Sequence, residues 1–562
     1  MRPEGIGQIA LYAAVLIALA YPLGRYMAWV YTRKRDDPVE RGFFRLLGRH
    51  SAEEQSWKGY AVTVLVFSFA FAALLYAMLR IQGHLPVNPD HMKAVSSPLS
   101  LNTAASFVTN TNWQYYAGEA TMSYLSQMAG LAVHNFVSAA IGMAVLAAVV
   151  RGIAQRSAGR LGNFWRDLYR SLVYILLPLS LVVAVILISQ GVPQTFAGHA
   201  TATTLQGAHQ AIARGPVASQ IAIKQLGTNG GGYYNSNSAV PFENPTGFSN
   251  FVEMIALLLI PAAQVFMFGR MVRARRHAWM IFAAMFAMFA IGIGVNLVAE
   301  QHGSPVLRNS GVNLVASSGQ SGGNMVDKEV RFGIAGTTNW TVATTDSSNG
   351  SVNGGLDAQT PIGGAVPLVN LFVGEVIFGG VGTGLIGMFF YVLIAVFIAG
   401  LMVGRTPEWL GRKIEAREIK YAALGALFVP TMVLVMTAVA IAAPAGLASV
   451  FNPGAHGFTE TLYAYTSQAN NNGSAFAGYG ATTFSEAFGA VAMFLGRFVP
   501  LLAGLALADS LSRKKVVPVS AGTFRTDGPT FAVLLVGVIA LTAGLMILPA
   551  LSLGPIVESL IH

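Results

Sequence analysis

The chain contains no cysteine. That excludes disulfides, thiolate metal sites and cysteine nucleophiles. Charge is scarce as well: 11% of the 562 residues are Asp, Glu, Lys or Arg, where a soluble domain carries roughly 25%. With 54% hydrophobic residues and a mean hydropathy of +0.55, a soluble globule is excluded and a polytopic membrane protein remains. Two phosphate-handling motifs are missing too. There is neither an Asp-Lys-Thr-Gly phosphorylation sequence nor a GxxxxGK[ST] loop. No catalytic constellation stands out, which disfavours a membrane-embedded enzyme. His134, His209 and His456 look isolated, without helical ligand pairing, and read as loop or packing positions rather than metal ligands.

What is present is a series of long apolar runs. Ten reach or approach the ~20 residues that a helix needs to cross a bilayer: 5–31, 60–81, 124–150, 171–190, 251–271, 278–299, 367–403, 421–443, 484–508 and 531–553. The first, interrupted by Pro22 and Arg25, lacks a small-residue cleavage site and reads as a retained anchor. Most of the 35 lysines and arginines fall in five segments between spans, including Arg33 to Arg35, Arg151 with Arg156, Arg270 to Arg276, Arg405 to Lys420 and Arg513 to Arg525. The positive-inside rule places these segments in the cytoplasm. The N-terminus and four intervening polar loops then face the other side. The net charge of +10 thus answers to membrane topology and not to nucleic acid. The basic runs are suited to anionic lipid or to a partner protein.

One of those loops is Leu226-Gly227-Thr228-Asn229-Gly230-Gly231-Gly232-Tyr233-Tyr234-Asn235. It is too polar and glycine-rich to continue either flanking helix. Bare glycine backbone lets carbonyls turn toward a ligand, as in the carbonyl rings that replace the water shell of potassium. Alone, the stretch reads first as a loop outside the membrane. The other three loops change that balance, because Thr109-Asn110-Thr111, Ser348-Asn349-Gly350 and Asn471-Asn472-Gly473 stand at the same place in their own units as Thr228-Asn229-Gly230. Independent surface loops have no reason to recur in this way, whereas four strands around one axis do. The expected organisation is an N-terminal helix and cytoplasmic segment (1–58), four pore units (59–170, 171–277, 278–420, 421–525) and a C-terminal helix (526–562).

Long strings carry a more specific resemblance. They are Thr109-Asn110-Thr111-Asn112-Trp113-Gln114, Gly227 to Asn237 with Pro241-Phe242-Glu243-Asn244-Pro245, Gly379-Gly380-Val381-Gly382, Gly404-Arg405-Thr406-Pro407-Glu408, and Asn470 to Gly478. On these the chain resembles, almost end to end, the potassium-binding A subunits of Kdp-type potassium-transporting ATPases (the KdpA family). The resemblance implies an all-α polytopic fold of about ten transmembrane helices with four helix–pore loop–helix units, as in the wider potassium transporter superfamily. It implies a multi-pass protein of the bacterial inner membrane that binds potassium, binds no nucleotide itself, and selects the ion at the extracytoplasmic face. The partners it implies are a P-type ATPase catalytic subunit, a single-span C-type subunit and a small accessory membrane peptide. The filter residues it implies are Thr109, Asn110 and Thr111; Thr228, Asn229 and Gly230; Ser348, Asn349 and Gly350; and Asn471, Asn472 and Gly473. In this alignment the first loop has threonine where the others have glycine, and Asn349 stands where relatives carry cysteine. A self-sufficient potassium channel or ion-coupled transporter of the same superfamily is the alternative.

Three further features belong to the pathway on this reading. Gly382-Thr383-Gly384-Leu385-Ile386-Gly387 fits GxGxxG, but it lies in an apolar span without the βαβ context a dinucleotide needs. Gly380, Gly382 and Gly384 therefore signal either close helix packing or a broken helix that gates the path. Arg497 lies within a span, and an ionisable residue there is a functional candidate. Glu375 is its candidate partner, with loop carbonyls the other possibility. Asp509, near a span end, reads as a solvated terminus.

Overall fold

The computed structural model describes residues 3–155, 159–317, 319–402, 404–518 and 523–561. Arg156 and Val403 lie outside the described residues. Ten helices among the described residues are long and apolar enough to cross a membrane. The chain begins with α1 (Pro3–Thr32). Despite Pro22 and Arg25 it is a continuous helix, and it packs along the second return helix, with Tyr12 Oη donating to the Met254 carbonyl at 3.1 Å. Gly24 makes the approach possible, since a Cβ there would lie 2.4 Å from the Ala263 carbonyl oxygen.

The same pattern then recurs four times: a long helix, a short helix, a polar loop and a return helix. In the first unit these helices are α2 (Trp57–Ile81), α3 (Ser97–Val108) and α4 (Ser126–Ala154). In the second they are α5 (Phe164–Ser189), α6 (Val217–Leu226) and α7 (Gly247–Met271). The third has α8 (Arg275–His302), α9 (Gly333–Asp346), α10 (Pro361–Phe372) and α11 (Thr383–Met402). The fourth has α12 (Ala416–Ala442), α13 (Gly454–Ala469) and α14 (Thr483–Ser512). The chain closes with α15 (Pro529–Leu553) and the short α16 (Pro555–Ile561). Among the described residues two small antiparallel hairpins interrupt the helices: β1 (Ala200–Thr203) with β2 (His209–Ile212), Ala200 opposite Ile212, and β3 (Glu408–Trp409) with β4 (Arg412–Lys413).

The run 367–403 is not one helix. It is divided into α10, an irregular segment 373–382 and α11. The other three returns are unbroken. Those of units two and four start with the same device: Thr246 with Ser249, and Thr482 with Ser485, form reciprocal capping boxes that satisfy backbone N–H groups of the first turn. Return helices α4 and α7 are buried nearly along their length, while α2, α5 and α15 turn leucine, valine and phenylalanine outward. Leu181 and Leu545 are examples of such exposed apolar residues. Their outward face suits lipid, and the polar loops are held inside, where irregular backbone at membrane depth is tolerated.

Candidate functional site

Each short helix stops one residue before its polar loop, with Thr109, Gly227, Ser347 and Asn470 as the capping residues. Two residues on, the chain doubles back. The N–H of Thr111, Asn229, Asn349 and Asn472 donates to the carbonyl of Ser106, Lys224, Thr344 and Ser467 respectively, at 2.8 to 3.1 Å. Left-handed backbone flanks each of these residues. It falls at Asn110 and Asn112, Thr228 and Gly230, Ser348 and Gly350, and Asn471 and Gly473, with φ between 48° and 93°.

This common geometry corrects the alignment of the first loop by one residue. The equivalent of Thr228-Asn229-Gly230 is Asn110-Thr111-Asn112, and Thr109 caps the helix as Gly227 does. The residue facing the three glycines is therefore Asn112, not a threonine. Shared Thr-Asn letters favoured the other register. The backbone follows conformational tolerance instead, and asparagine is among the few side chains that enter the left-handed region readily.

The loops close into a ring. A Cβ at Gly230 would lie 1.7 Å from the Asn349 carbonyl oxygen, one at Gly350 2.0 Å from that of Asn472, and one at Gly473 2.1 Å from that of Thr111. The fourth junction joins loop one to loop two, where Asn110 Nδ2 donates to the Thr228 carbonyl at 2.8 Å. Side chains lace the ring further. Ser348 Oγ donates to the Asn471 carbonyl at 2.9 Å, and Asn471 Nδ2 to Thr111 Oγ1 at 3.0 Å. Asn349 Nδ2 reaches the Lys224 carbonyl at 3.1 Å, and Asn472 Nδ2 the Thr344 carbonyl at 2.8 Å. Thr109, Asn110, Thr111, Thr228, Asn229, Gly230, Ser348, Asn349, Gly350, Asn471, Asn472 and Gly473 are thus all brought together. All of those with side chains are buried. Four helix C-termini converge on the same ring, and their partial negative charge favours a cation. Behind the second loop, Lys224 is clamped by Asn237 and by Glu243 of the Pro-Phe-Glu-Asn-Pro string. A buried ion pair of this kind is better evidence of fixed geometry than of stability.

Beneath the ring runs segment 373–382. Gly374, Glu375, Phe378, Gly379 and Gly382 all have positive φ. Its backbone is tied to its own unit and to the second. Gly379 N–H donates to the Asp346 carbonyl at 2.9 Å, Val381 N–H to Thr228 Oγ1 at 3.0 Å, and Gly382 N–H to Gln264 Oε1 at 2.8 Å. Bare backbone is required here too, since a Cβ on Gly382 would lie 1.9 Å from the Gly142 carbonyl oxygen and one on Gly380 2.8 Å from Ser348 Cβ. Gly384, in the first turn of α11, backs directly onto Gly379. Gln264, Ser138 and Asn112 are contributors that sequence reasoning missed. The Thr-Asn-Thr-Asn run carries a signal for the last of them, since it fits the loop pattern in two registers.

Arg497 and Glu375 line one small cavity in this region, of about 60 Å³. They are not an ion pair. Arg497 Nη2 donates to the Ser138 carbonyl at 3.1 Å and Nη1 to Thr383 Oγ1 at 3.4 Å. Glu375 accepts from Asn472 Nδ2 at 2.8 Å, so it ties the broken segment to the ring. Asp346, at the end of α9, is fully buried and has no hydrogen-bond partner on either carboxylate oxygen. Two other sequence expectations fail. Asp509 is buried, not solvated, and receives a two-pronged contact from Arg513 at 2.9 Å. His456 is not isolated, since Asp357, Glu460 and Glu558 surround it. Its i, i+4 spacing to Glu460 was visible in the sequence, but the other two carboxylates come from distant segments.

Comparisons with known proteins agree with this architecture. The family model described as Potassium-transporting ATPase A subunit matches residues 10–560. A "Potassium-transporting ATPase potassium-binding subunit" of Sorangium cellulosum is 55% identical over 577 residues, covering 100% of this chain and 99% of that one. One of Methylobacterium nodulans is 53% identical over 567 residues, covering 100% and 98%. Among solved structures, the potassium transporter TrkH from Vibrio parahaemolyticus superposes with a TM-score of 0.54 at 16% identity, covering 89% of this chain and 98% of that one. That likeness speaks to the fold alone. Kinship at this identity over the whole length settles the family: the chain is a multi-pass membrane protein that belongs to the potassium-transporting ATPase A subunits.

Proposed function

We propose that the ring of four loops is the potassium filter of this protein. It receives the ion at the extracytoplasmic face of a bacterial inner membrane and substitutes backbone carbonyls for the water shell. The observation that carries the reading is the cyclic closure of the loops, each pressed on the next through a left-handed residue, with four helix C-termini behind them. Asn110, Thr111 and Asn112 serve the first quadrant, with Thr109 as their helix cap. The other quadrants keep Thr228-Asn229-Gly230, Ser348-Asn349-Gly350 and Asn471-Asn472-Gly473.

Below the filter, segment 373–382 closes the direct route through the chain, and Arg497 disfavours a second cation there by charge repulsion. The ion leaves sideways toward a P-type ATPase catalytic subunit, which hydrolyses the nucleotide. This chain binds none. A single-span C-type subunit and a small accessory peptide complete the complex. The basic segments at the opposite end from the ring face the cytoplasm and its anionic lipid. A self-sufficient channel is disfavoured by the full-length kinship with subunits of an ATPase.

The test is ion preference in the assembled complex carrying Gly230→Asp. The expected result is lost discrimination of potassium against rubidium or sodium in ion-stimulated ATP hydrolysis, with the complex still purifying intact. An intact complex with unchanged preference would remove this loop from the filter.

A further inference from the structure

Away from the filter loops, four titratable side chains from distant parts of the chain meet near the start of α13. His456 and Glu460 stand one turn apart on that helix. Asp357 follows the third polar loop, and Glu558 lies on α16. His456 Nε2 is 3.2 Å from Asp357 Oδ1 and 3.8 Å from Glu460 Oε1. On the other side of the imidazole, Nδ1 is 2.9 Å from Glu558 Oε1. One possible ligand atom from each of Asp357, His456 and Glu460 falls within 4.8 Å of the others.

We propose that Asp357, His456 and Glu460 form a site for a divalent first-row transition cation, zinc above all, with Glu558 as the group that orients the imidazole. The spacing fits. Two ligands on a tetrahedral zinc, each about 2.1 Å from the metal, lie roughly 3.4 Å apart, and the two distances from Nε2 bracket that value. The tautomer fits as well. With Nδ1–H donated to Glu558, Nε2 offers its lone pair to a metal that displaces the Nε2 proton, which gives the carboxylate–histidine–metal arrangement of natural sites. The donor set of one imidazole and two carboxylates suits zinc rather than calcium or magnesium, which prefer oxygen alone. It leaves a fourth position for water.

Glu460 supplies an independent sign. Its side chain has no exposed surface, and while Asn452 Nδ2 holds Oε1, Oε2 has no hydrogen-bond partner. A buried carboxylate oxygen left without a partner is costly, and a cation bound to the same carboxylate offsets that cost. His456 and Asp357 remain 26% and 21% exposed, so a cation enters from solvent without opening the fold. In the metal-free protein the proton is the competitor, because hydrogen bonds to Asp357 and then Glu558 push the His456 pKa up to about 10. Once bound, the metal would staple the third unit, the helix leading to the fourth loop, and α16.

The experiment uses the intact ATPase complex, stripped with EDTA and re-equilibrated with zinc. Bound metal is counted by elemental analysis after gel filtration, and unfolding temperature is followed with and without zinc. The expected result is one zinc per chain and a zinc-dependent rise in unfolding temperature. His456→Ala and Asp357→Asn, made separately so that one assembling variant suffices, should each lose that zinc and the rise. Glu558→Gln should bind it 10- to 100-fold more weakly, as loss of an orienting partner does. Absence of bound zinc in the wild-type complex would overturn the proposal, and so would variants that retain as much zinc as wild type. If zinc is absent but His456→Ala lowers the unfolding temperature, the cluster is a protonated clamp only and the metal site is refuted.

Discussion

The first polar loop and the other three do the same geometric task with different residues. Gly230, Gly350 and Gly473 adopt φ of 77°, 89° and 93°, and the neighbouring loop stands where a Cβ would be. Asn112 occupies the same position with φ 54° and keeps its side chain, whose Nδ2 donates to Asn135 Oδ1 at 2.6 Å. The room for it is made across the junction. A Cβ on Gly231 would lie 2.7 Å from the Asn112 Cβ. After their ring glycines, loops three and four have serines instead, Ser351 and Ser474, each with its N–H bound to an asparagine side chain of its own loop. The run of three glycines in loop two therefore serves more than one purpose. Gly230 fits a left-handed turn against loop three, and Gly231 accommodates the irregular member of the ring. Departure from fourfold symmetry in one loop is answered by a deletion of side chain in the next.

The third unit departs from the other three in a different place, below the ring, where its return helix is broken. If ring positions demand bare backbone and the break serves as a barrier, perturbing the two should have different signatures. The largest effect is expected at a ring glycine. Gly473→Ala places a methyl group against the Thr111 carbonyl and adds a left-handed strain of about 1–2 kcal/mol for a residue other than glycine. Apparent potassium affinity, read from ion-stimulated ATP hydrolysis, should fall by more than ten-fold while protein level holds. Near-normal affinity would mean that the loops have more freedom than their contacts indicate.

Next in size is removal of Gly382 to Gly384. A straight span does not need these glycines, each of which costs roughly 1 kcal/mol against alanine inside a helix, and the Val381 and Gly382 N–H groups are spent on Thr228 and Gln264 instead. The expected outcome is potassium flux through liposomes without ATP, with ring selectivity retained. An assembled deletion complex that remains tight would refute the barrier. Arg497→Gln should act more gently. It keeps a donor for the Ser138 carbonyl but removes the buried charge, so a few-fold change in apparent potassium affinity or transport rate is expected. Superimposable potassium titrations would reduce Arg497 to a structural strut between the Ser138 carbonyl and Thr383.

Much of this architecture was legible in the sequence because it is written in periodic or compositional terms. Apolar length marked the spans, basic residues marked one end of the bundle, and the glycines of 379–384 marked the break. The register of loop one was not legible, since letter similarity favoured Thr109 while the decisive quantity is backbone conformation at Asn110 and Asn112. The partner of Arg497 was only half legible. Glu375 is near it in space, but the guanidinium goes to a carbonyl on a helix far away in the chain, as the 359-residue separation from Ser138 shows. The surroundings of His456 come from three segments whose proximity only the folded chain reveals.

The smallest expected effect tests the comparison between loops most directly. Asn112→Gly should be mild, because glycine adopts φ 54° at least as readily as asparagine. The loss is chiefly the hydrogen bond to Asn135, worth about 1 kcal/mol, so potassium affinity should fall no more than a few-fold. Gly231→Ala alone should be worse, since its methyl meets the Asn112 side chain. The informative protein is the double variant, in which Asn112→Gly vacates the space that Gly231→Ala fills. If the two residues compensate across the junction, the double variant should recover affinity relative to Gly231→Ala, with a coupling in the range of about 0.5–3 kcal/mol found for residues in contact. Additive losses would mean that Gly231 is bare for another reason, such as its 3.1 Å approach to the Asn112 carbonyl oxygen. That contact belongs to the backbone and would survive the change at position 112, so the cycle separates the two explanations.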